Sequence, residues 1–408
     1  MSVGSSESEA LDSLRALAVP LHTLDPADPD ISDLAAVGDL VGDARVVSIG
    51  ESAHGVREFY QLKDRLLRYL VSERGFTAFV MESGFPEGLA VNDWVLGGAG
   101  TLDPVADTGI TYGFGRCAEM RAQLQWMRDW NATRDSKVRF YGMDVAGSIA
   151  NPGPGVAICQ ARLAPAPGDA ALRELAELGE QFEARARYAG MAPLDRARLS
   201  NGIAALAQRS RDSGDDVTER CGRAVAYLDG LLSGALVYTG DRNPRDELMA
   251  DTVRWILERE ERIVIGAHNG HIQRSSQYGA TLGQMLAPVL GDEMVVIGTT
   301  YASGDLQRVQ VLDEATTRFS VGLEAIQPSP QSIDALMDRV GPPLHLVDLR
   351  GMSEAQLGGA RQMLFNHDVY DFAPKGAFDA LIHVRHVTSV DGLVEASRAS
   401  IARAESLA

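Results

Sequence analysis

The chain has few cysteines, no long hydrophobic run and no surplus of basic charge, and each absence removes a class of protein. Its three cysteines, Cys117, Cys159 and Cys221, are odd in number and widely spaced, with no C-x-x-C pair. Neither a disulfide framework nor a cysteine zinc site is indicated, so ordinary reduced thiols are expected. No apolar run approaches the ~20 residues that a membrane span requires, and no membrane partner is expected. The opening MSVGSSESEALDSLRALAVP has no basic start and no apolar core of a secretory signal, which predicts a soluble cytoplasmic protein. With a net charge of -18 the chain lacks the basic footprint that a phosphate backbone demands, so no nucleic-acid partner is expected. There is no internal repeat. Oligomeric state leaves no trace in the sequence.

What is present is enough for a sizeable core: 408 residues, 45% of them hydrophobic. Seven short apolar runs read as strands, at 45–50, 76–82, 137–143, 262–268, 293–300, 344–349 and 378–384. Most carry Val, Ile and Phe on successive positions, as strands buried on both faces do. Helical patterns at 56–74, 118–134, 246–261 and 354–365 separate several of them. The alternation predicts an α/β fold, with a mostly parallel central sheet of about seven strands flanked by helices. The last run, FDALIHVRHV, alternates more and is expected at an antiparallel edge. Between 157 and 240 the texture turns Ala-, Arg- and Glu-rich without strand-like runs. That stretch is read as a helical insertion covering the active-site cleft, opened by the loop 148–157, with 1–156 and 241–408 forming the catalytic core.

Polar residues recur at the ends of these strands. The first run passes into Gly50-Glu51-Ser52-Ala53-His54-Gly55. The second ends in Glu82, the third in Asp144, and the fourth in His268 followed by His271. Ligands of open α/β sheets bind beyond the carboxyl ends of the strands, so four polar ends suggest one convergent small-molecule site. On the helical pattern after His54, Lys63 falls inside the apolar arc between Phe59 and Leu66. A lysine there either snorkels outward or points at a buried anion, which Glu51 or Glu82 would supply.

Several chemistries fit such a set. His268 and His271 with Glu51 or Glu82 could hold a zinc ion, although no H-x-x-x-H helix pair is present. Ser52 lies close to a nucleophile elbow, with Asp144 and His268 following in hydrolase order, but His54 replaces the glycine that the sharp turn needs. A cleft of histidines could also hold a haem or metal without catalysis.

The block GESAHGVREFYQLKDRLLRYLVSERGFTAFVMESGF resembles the signature of the erythromycin esterase family, which includes succinoglycan biosynthesis protein-like members. RNPRDELMADTVRWI and IVIGAHNGHI resemble that family's second and third blocks. The resemblance runs from about residue 20 to about 385. It implies an α/β core with a helical insertion, and hydrolysis of a macrocyclic ester by directly activated water, without a covalent serine intermediate or a required metal or other cofactor. The family's functional positions fall on Glu51, His54, Lys63, Glu82, His268 and His271. Residues 107–120 lack the Trp-rich stretch of many relatives, and Gly266 stands where tryptophan is common.

The expected activity is therefore an ester or lactone hydrolase with His54 as general base. Glu51 and Glu82 would orient it, Lys63 and His268 would act at the oxyanion or leaving group, and His271 and Asp144 would contact substrate. A cyclase, lyase or isomerase on the same residues is the alternative.

Overall fold

A computed structural model of the chain describes residues 3–145, 151–179, 182–275, 279–313 and 318–407. Its eleven strands among those residues are β1 (Val19–Pro20), β2 (Val46–Glu51), β3 (Ala78–Gly84), β4 (Arg139–Asp144), β5 (Ile263–His268) and β6 (Met294–Asp313), then β7 (Arg318–Ile326), β8 (Leu344–Asp348), β9 (Gln362–Phe365), β10 (Asp368–Asp371) and β11 (Ala380–Thr388). The chain divides into two compact units. One comprises Met1–Val80, Leu257–Arg308 and Leu323–Val390, the other Met81–Ile256, Val309–Gly322 and Asp391–Ala408.

In the first unit the strand order is β1-β8-β11-β6-β2-β5. The pairs β11–β6, β6–β2 and β2–β5 are parallel, whereas β1–β8 and β8–β11 are antiparallel, so the fold is α/β with a partly antiparallel sheet. Every residue of β2 and β5 is buried, which is why both read as unbroken apolar runs. All seven predicted runs are strands. The run at 378–384 is not at an edge, however: it is β11, held between β6 and β8. Its apparent alternation comes from His383, which is wholly buried and bonded to Thr300 Oγ1 at 2.9 Å. Burial pushes the His383 imidazole down to about 3 and lowers His345 beside it, so both are neutral core residues.

The pattern at 354–365 is not a helix. Gly358 and Gly359 both take left-handed φ values, 62° and 64°, which stop a helix, and the remainder becomes β9.

The second unit holds the end of β3, β4, and the helices Gly153–Arg162, Asp169–Ala176, Phe182–Gly190, Pro193–Asp212 and Asp216–Ser233. Of the predicted loop 148–157, residues 148–150 lie outside the described residues. Pro193 at the first turn and Asp215, which accepts from Thr218 N–H at 3.0 Å, fix two of these helix starts. Val156, Cys159, Leu172, Leu199, Ile203, Leu206 and Cys221 pack together as their core. All three cysteines are buried free thiols. No helix among the described residues is long and apolar enough to cross a membrane.

The helix Arg57–Arg74 buries part of its polar arc as well as its apolar one. Arg65 donates to both oxygens of Asp33, at 2.8 and 2.9 Å, and to Asp30 O at 2.9 Å, with Asp33's carboxylate wholly enclosed. Removing one member of such a pair strands the other charge. Arg65→Leu is expected to lower unfolding free energy by about 3–5 kcal/mol in urea melts, and an Asp33→Asn/Arg65→Leu double variant by clearly less. A single variant as stable as the parent would contradict this.

Candidate functional site

The turn that follows β2 is built on two glycines. A Cβ at Gly50 would lie 2.0 Å from Asn269 Oδ1, so only glycine lets β2 come this close to the residues after β5. Asn269 is wholly buried; it donates to Thr299 O at 2.8 Å and accepts from Thr299 N–H at 3.2 Å, tying the ends of β5 and β6. Gly55, with φ of 66°, turns the chain out of the strand toward the helix Arg57–Arg74.

Between these glycines Glu51 points inward, and the parallel register sets it beside His268 of β5. Lys63, on the helix, is 2% exposed and pairs with Glu51 Oε2. His54 Nδ1 lies 2.7 Å from Glu51 Oε1. Burial would raise the Glu51 carboxyl, but the Lys63 charge and the His54 hydrogen bond outweigh it and hold it down at about 2. Glu51 is thus an anion at neutral pH, with one oxygen for each neighbour.

The two histidines are fixed in opposite tautomers by the chemistry of their partners. An ionised carboxylate can only accept, so His54 Nδ1 must carry its proton and the lone pair of the neutral ring sits on Nε2. At His268 the situation reverses. Its Nδ1 accepts from Gly270 N–H at 3.0 Å, capping the short helix Asn269–Ile272, so its proton resides on Nε2. The rings stand 4.7 Å apart between centroids, tilted by 41°. One presents a base nitrogen and the other an N–H donor. His54 is the accessible member, with 35% of its side chain exposed. His271 lies on the same short helix, one turn past His268.

Glu82 and Asp144 belong to the second unit, where Arg245 gathers them. Its guanidinium donates to Glu82 Oε1 at 2.8 Å and to Asp144 Oδ2 at 2.6 Å. Tyr112 O–H donates to Asp144 Oδ2 and accepts from Arg245, each at 2.9 Å. Asp144 is wholly buried. Tyr112 holds a left-handed φ of 63°, a strained state for an aromatic residue that its hydroxyl contacts keep in place. Sequence reasoning did not single out Arg245 or Tyr112. Arg245 lies in the RNPRDELM block, whose resemblance was its only signal, and Tyr112 in the segment noted for lacking tryptophan.

Ser52 is fully buried, and its N–H donates to Thr299 Oγ1 at 2.8 Å. A serine triad needs a histidine whose Nδ1 donates to a carboxylate, whereas His268 Nδ1 accepts from backbone. The elbow reading therefore lacks its geometry. A Cβ at Gly266 would meet the Phe79 ring at 2.8 Å. Among the described residues no group of three His, Cys, Asp or Glu side chains is arranged to hold a metal ion.

The Glu51 pair generates a pH prediction. Its carboxyl sits below the usual 4.5, so the stability it contributes is present above that value and lost as pH falls through about 2. In Lys63→Met, burial prevails and the carboxyl rises above its ordinary value, so stability is instead lost as pH rises through the carboxylate range. Lys63→Met should be about 3–5 kcal/mol less stable than the parent at pH 7, and Glu51→Gln added to it should recover most of that. Thermal melts across pH test this; matching melting curves at pH 7 would refute it.

The comparisons with known proteins agree with this architecture. The erythromycin esterase profile matches residues 71–387. Erythromycin esterase type II of Escherichia coli is 25% identical over 400 residues, covering 88% of this chain and 94% of that protein. Erythromycin esterase type I of Escherichia coli is 24% identical over 286 residues, covering 62% and 68%. The crystal structure of a succinoglycan biosynthesis protein superposes with a TM-score of 0.75 at 22% identity, covering 95% of this chain and 98% of its own. A histidine-to-asparagine mutant of the erythromycin esterase EreC, in its open conformation, gives 0.73 at 20% identity, covering 91% and 97%. With the profile spanning well over half of its length, the chain belongs to the erythromycin esterase family, a family of ester-hydrolysing enzymes.

Proposed function

We propose that this protein hydrolyses an ester or lactone of a macrolide-like or other polyketide-like small molecule, with His54 activating water directly. The single observation that carries the reading is the pair of histidine rings 4.7 Å apart between centres, whose hydrogen-bond partners assign a base nitrogen to His54 and an N–H donor to His268. Membership of an ester-hydrolysing family supplies the reaction class.

His54 Nε2 removes a proton from water, and the oxygen attacks the carbonyl carbon. The imidazolium that results is held against Glu51, whose negative charge compensates it at 2.7 Å. His268 Nε2–H donates to the developing oxyanion. As the tetrahedral species collapses, the carbon–oxygen bond to the leaving alkoxide breaks, and His54 returns its proton to that oxygen. Water supplies one oxygen and one proton to the acid and the other proton to the alcohol, so the step balances with no covalent enzyme intermediate.

Lys63 reaches Glu51 and not the base, so its part is to keep Glu51 ionised and oriented. Glu82 acts with Arg245 and Asp144 as a held ionic group of the second unit, and His271 is assigned to substrate contact.

The test is a panel of lactones and polyketide esters assayed with purified protein. For any substrate turned over, His54→Ala should lower kcat by about 10²–10⁴-fold. In H₂¹⁸O one heavy oxygen should enter the acid product, seen by mass spectrometry. An unchanged kcat for His54→Ala would remove the base assignment, and product formed without label would remove hydrolysis.

A further inference from the structure

We propose that Asn366, at the tip of the β9–β10 hairpin, is a positioning residue that aims the base nitrogen of His54; this rests on the reading of His54 as the base. In the hairpin, Phe365 pairs with Asp368 across a turn of Asn366 and His367. Asn366 takes a left-handed φ of 54°, a state that asparagine tolerates better than other side chains. Its N–H donates to Ser52 O at 2.6 Å, and its Oδ1 accepts from His54 N–H at 3.0 Å. Its own carbonyl accepts from the hydroxyl of Tyr301, a side chain with no exposed surface.

Ser52 N–H is already taken by Thr299 Oγ1 at 2.8 Å. The backbone of the turn carrying His54 is therefore held from outside by Thr299, by Val390, whose N–H donates to Gly55 O at 2.9 Å, and twice by Asn366, 312 positions from His54. Below it, Ala53 and Val56 pack with Tyr301, Leu364 and Val387. The same hairpin also reaches the other histidine, because Phe365 stands edge-on to His268 at 5.5 Å between ring centres. One short β-ribbon thus fixes the base through its backbone and the donor through its ring.

A turn that needed only its left-handed backbone would be served by glycine. The amide oxygen directed at His54 N–H is the additional feature, and it restrains the peptide from which the imidazole projects. Its loss lets the ring move off the Glu51 line, and catalytic rates fall steeply with small misplacements.

Asn366→Gly keeps the backbone conformation, the Ser52 bond and the Tyr301 bond, and deletes only the acceptor. Asn366→Asp keeps the acceptor and adds a negative charge. Two readouts apply: hydrolysis of p-nitrophenyl acetate, and the low-field proton resonance of His54 Nδ1–H against Glu51, which requires no turnover. Asn366→Gly is expected to lower kcat about 5- to 100-fold with KM changed less than about twofold, and to broaden or move the Nδ1–H signal upfield. Asn366→Asp is expected to recover most of kcat and to move the base limb of the pH profile to higher pH, since added negative charge favours the imidazolium.

If Asn366→Gly melts at a lower temperature yet keeps the parent kcat and the Nδ1–H signal, the contact is only structural and the proposal is overturned. His54→Ala is run beside it. An inactive His54→Ala with a fully active Asn366→Gly defeats the positioning role alone, whereas an active His54→Ala defeats the base assignment, and the Nδ1–H signal then judges Asn366 separately.

Discussion

Everything around His54 depends on keeping one carboxylate ionised out of water. Glu51 is 3% exposed, and a lone anion there would neutralise or unfold its surroundings. Lys63 on one oxygen and His54 on the other make the anion tolerable, and the net effect holds the carboxyl at about 2. The arrangement is directional. Because the anion can only accept, it dictates the tautomer of His54, and because Lys63 cannot accept, the ion pair does not compete for the imidazole proton. A neutral amide at position 51 could satisfy the same distances and would leave the tautomer undetermined.

Bringing that carboxylate beside His268 requires strand ends at close quarters. Parallel pairing of β2 with β5 supplies the register, with Glu51 opposite His268. Gly50 supplies the clearance and Asn269 the tie to Thr299. A side chain at position 50 would collide with Asn269, so the glycine before Glu51 is part of the site although it bears no functional group. The glycine after His54 has a different cause, the left-handed turn at φ 66°.

Much of the fold was legible because strands buried on both faces write themselves as continuous apolar runs; β2 and β5 are the clearest cases. β9 was hidden by two glycines inside a pattern with helical spacing, and the interior place of β11, though not the strand itself, by a histidine that looks polar in sequence but lies wholly in the core. Local spacing also exposed Lys63, since one helix turn pattern decides its direction. Arg245, Tyr112 and Asn366 were not legible as partners, because their contacts span 101, 32 and 312 positions and no periodicity encodes a pairing at that distance. Arg65 was not legible as a buried partner for the same reason, since the Asp33 that covers it comes from a segment with no strong pattern.

The proposal of water rather than serine as nucleophile rests on how the strand end is used. In a serine hydrolase the residue at the tip of the turn is exposed and strained, and its histidine arrives from elsewhere. Here the turn is inverted in function. Ser52 faces the interior, with its N–H given to Thr299 and its carbonyl to Asn366, and the exposed residue of the turn is the histidine itself. In the proposed reading, the half-exposed His54 serves as the base and the enclosed Ser52 hydroxyl takes no part. The same backbone bonds that bury Ser52 fix His54, so withdrawing the serine and presenting the imidazole are one structural event.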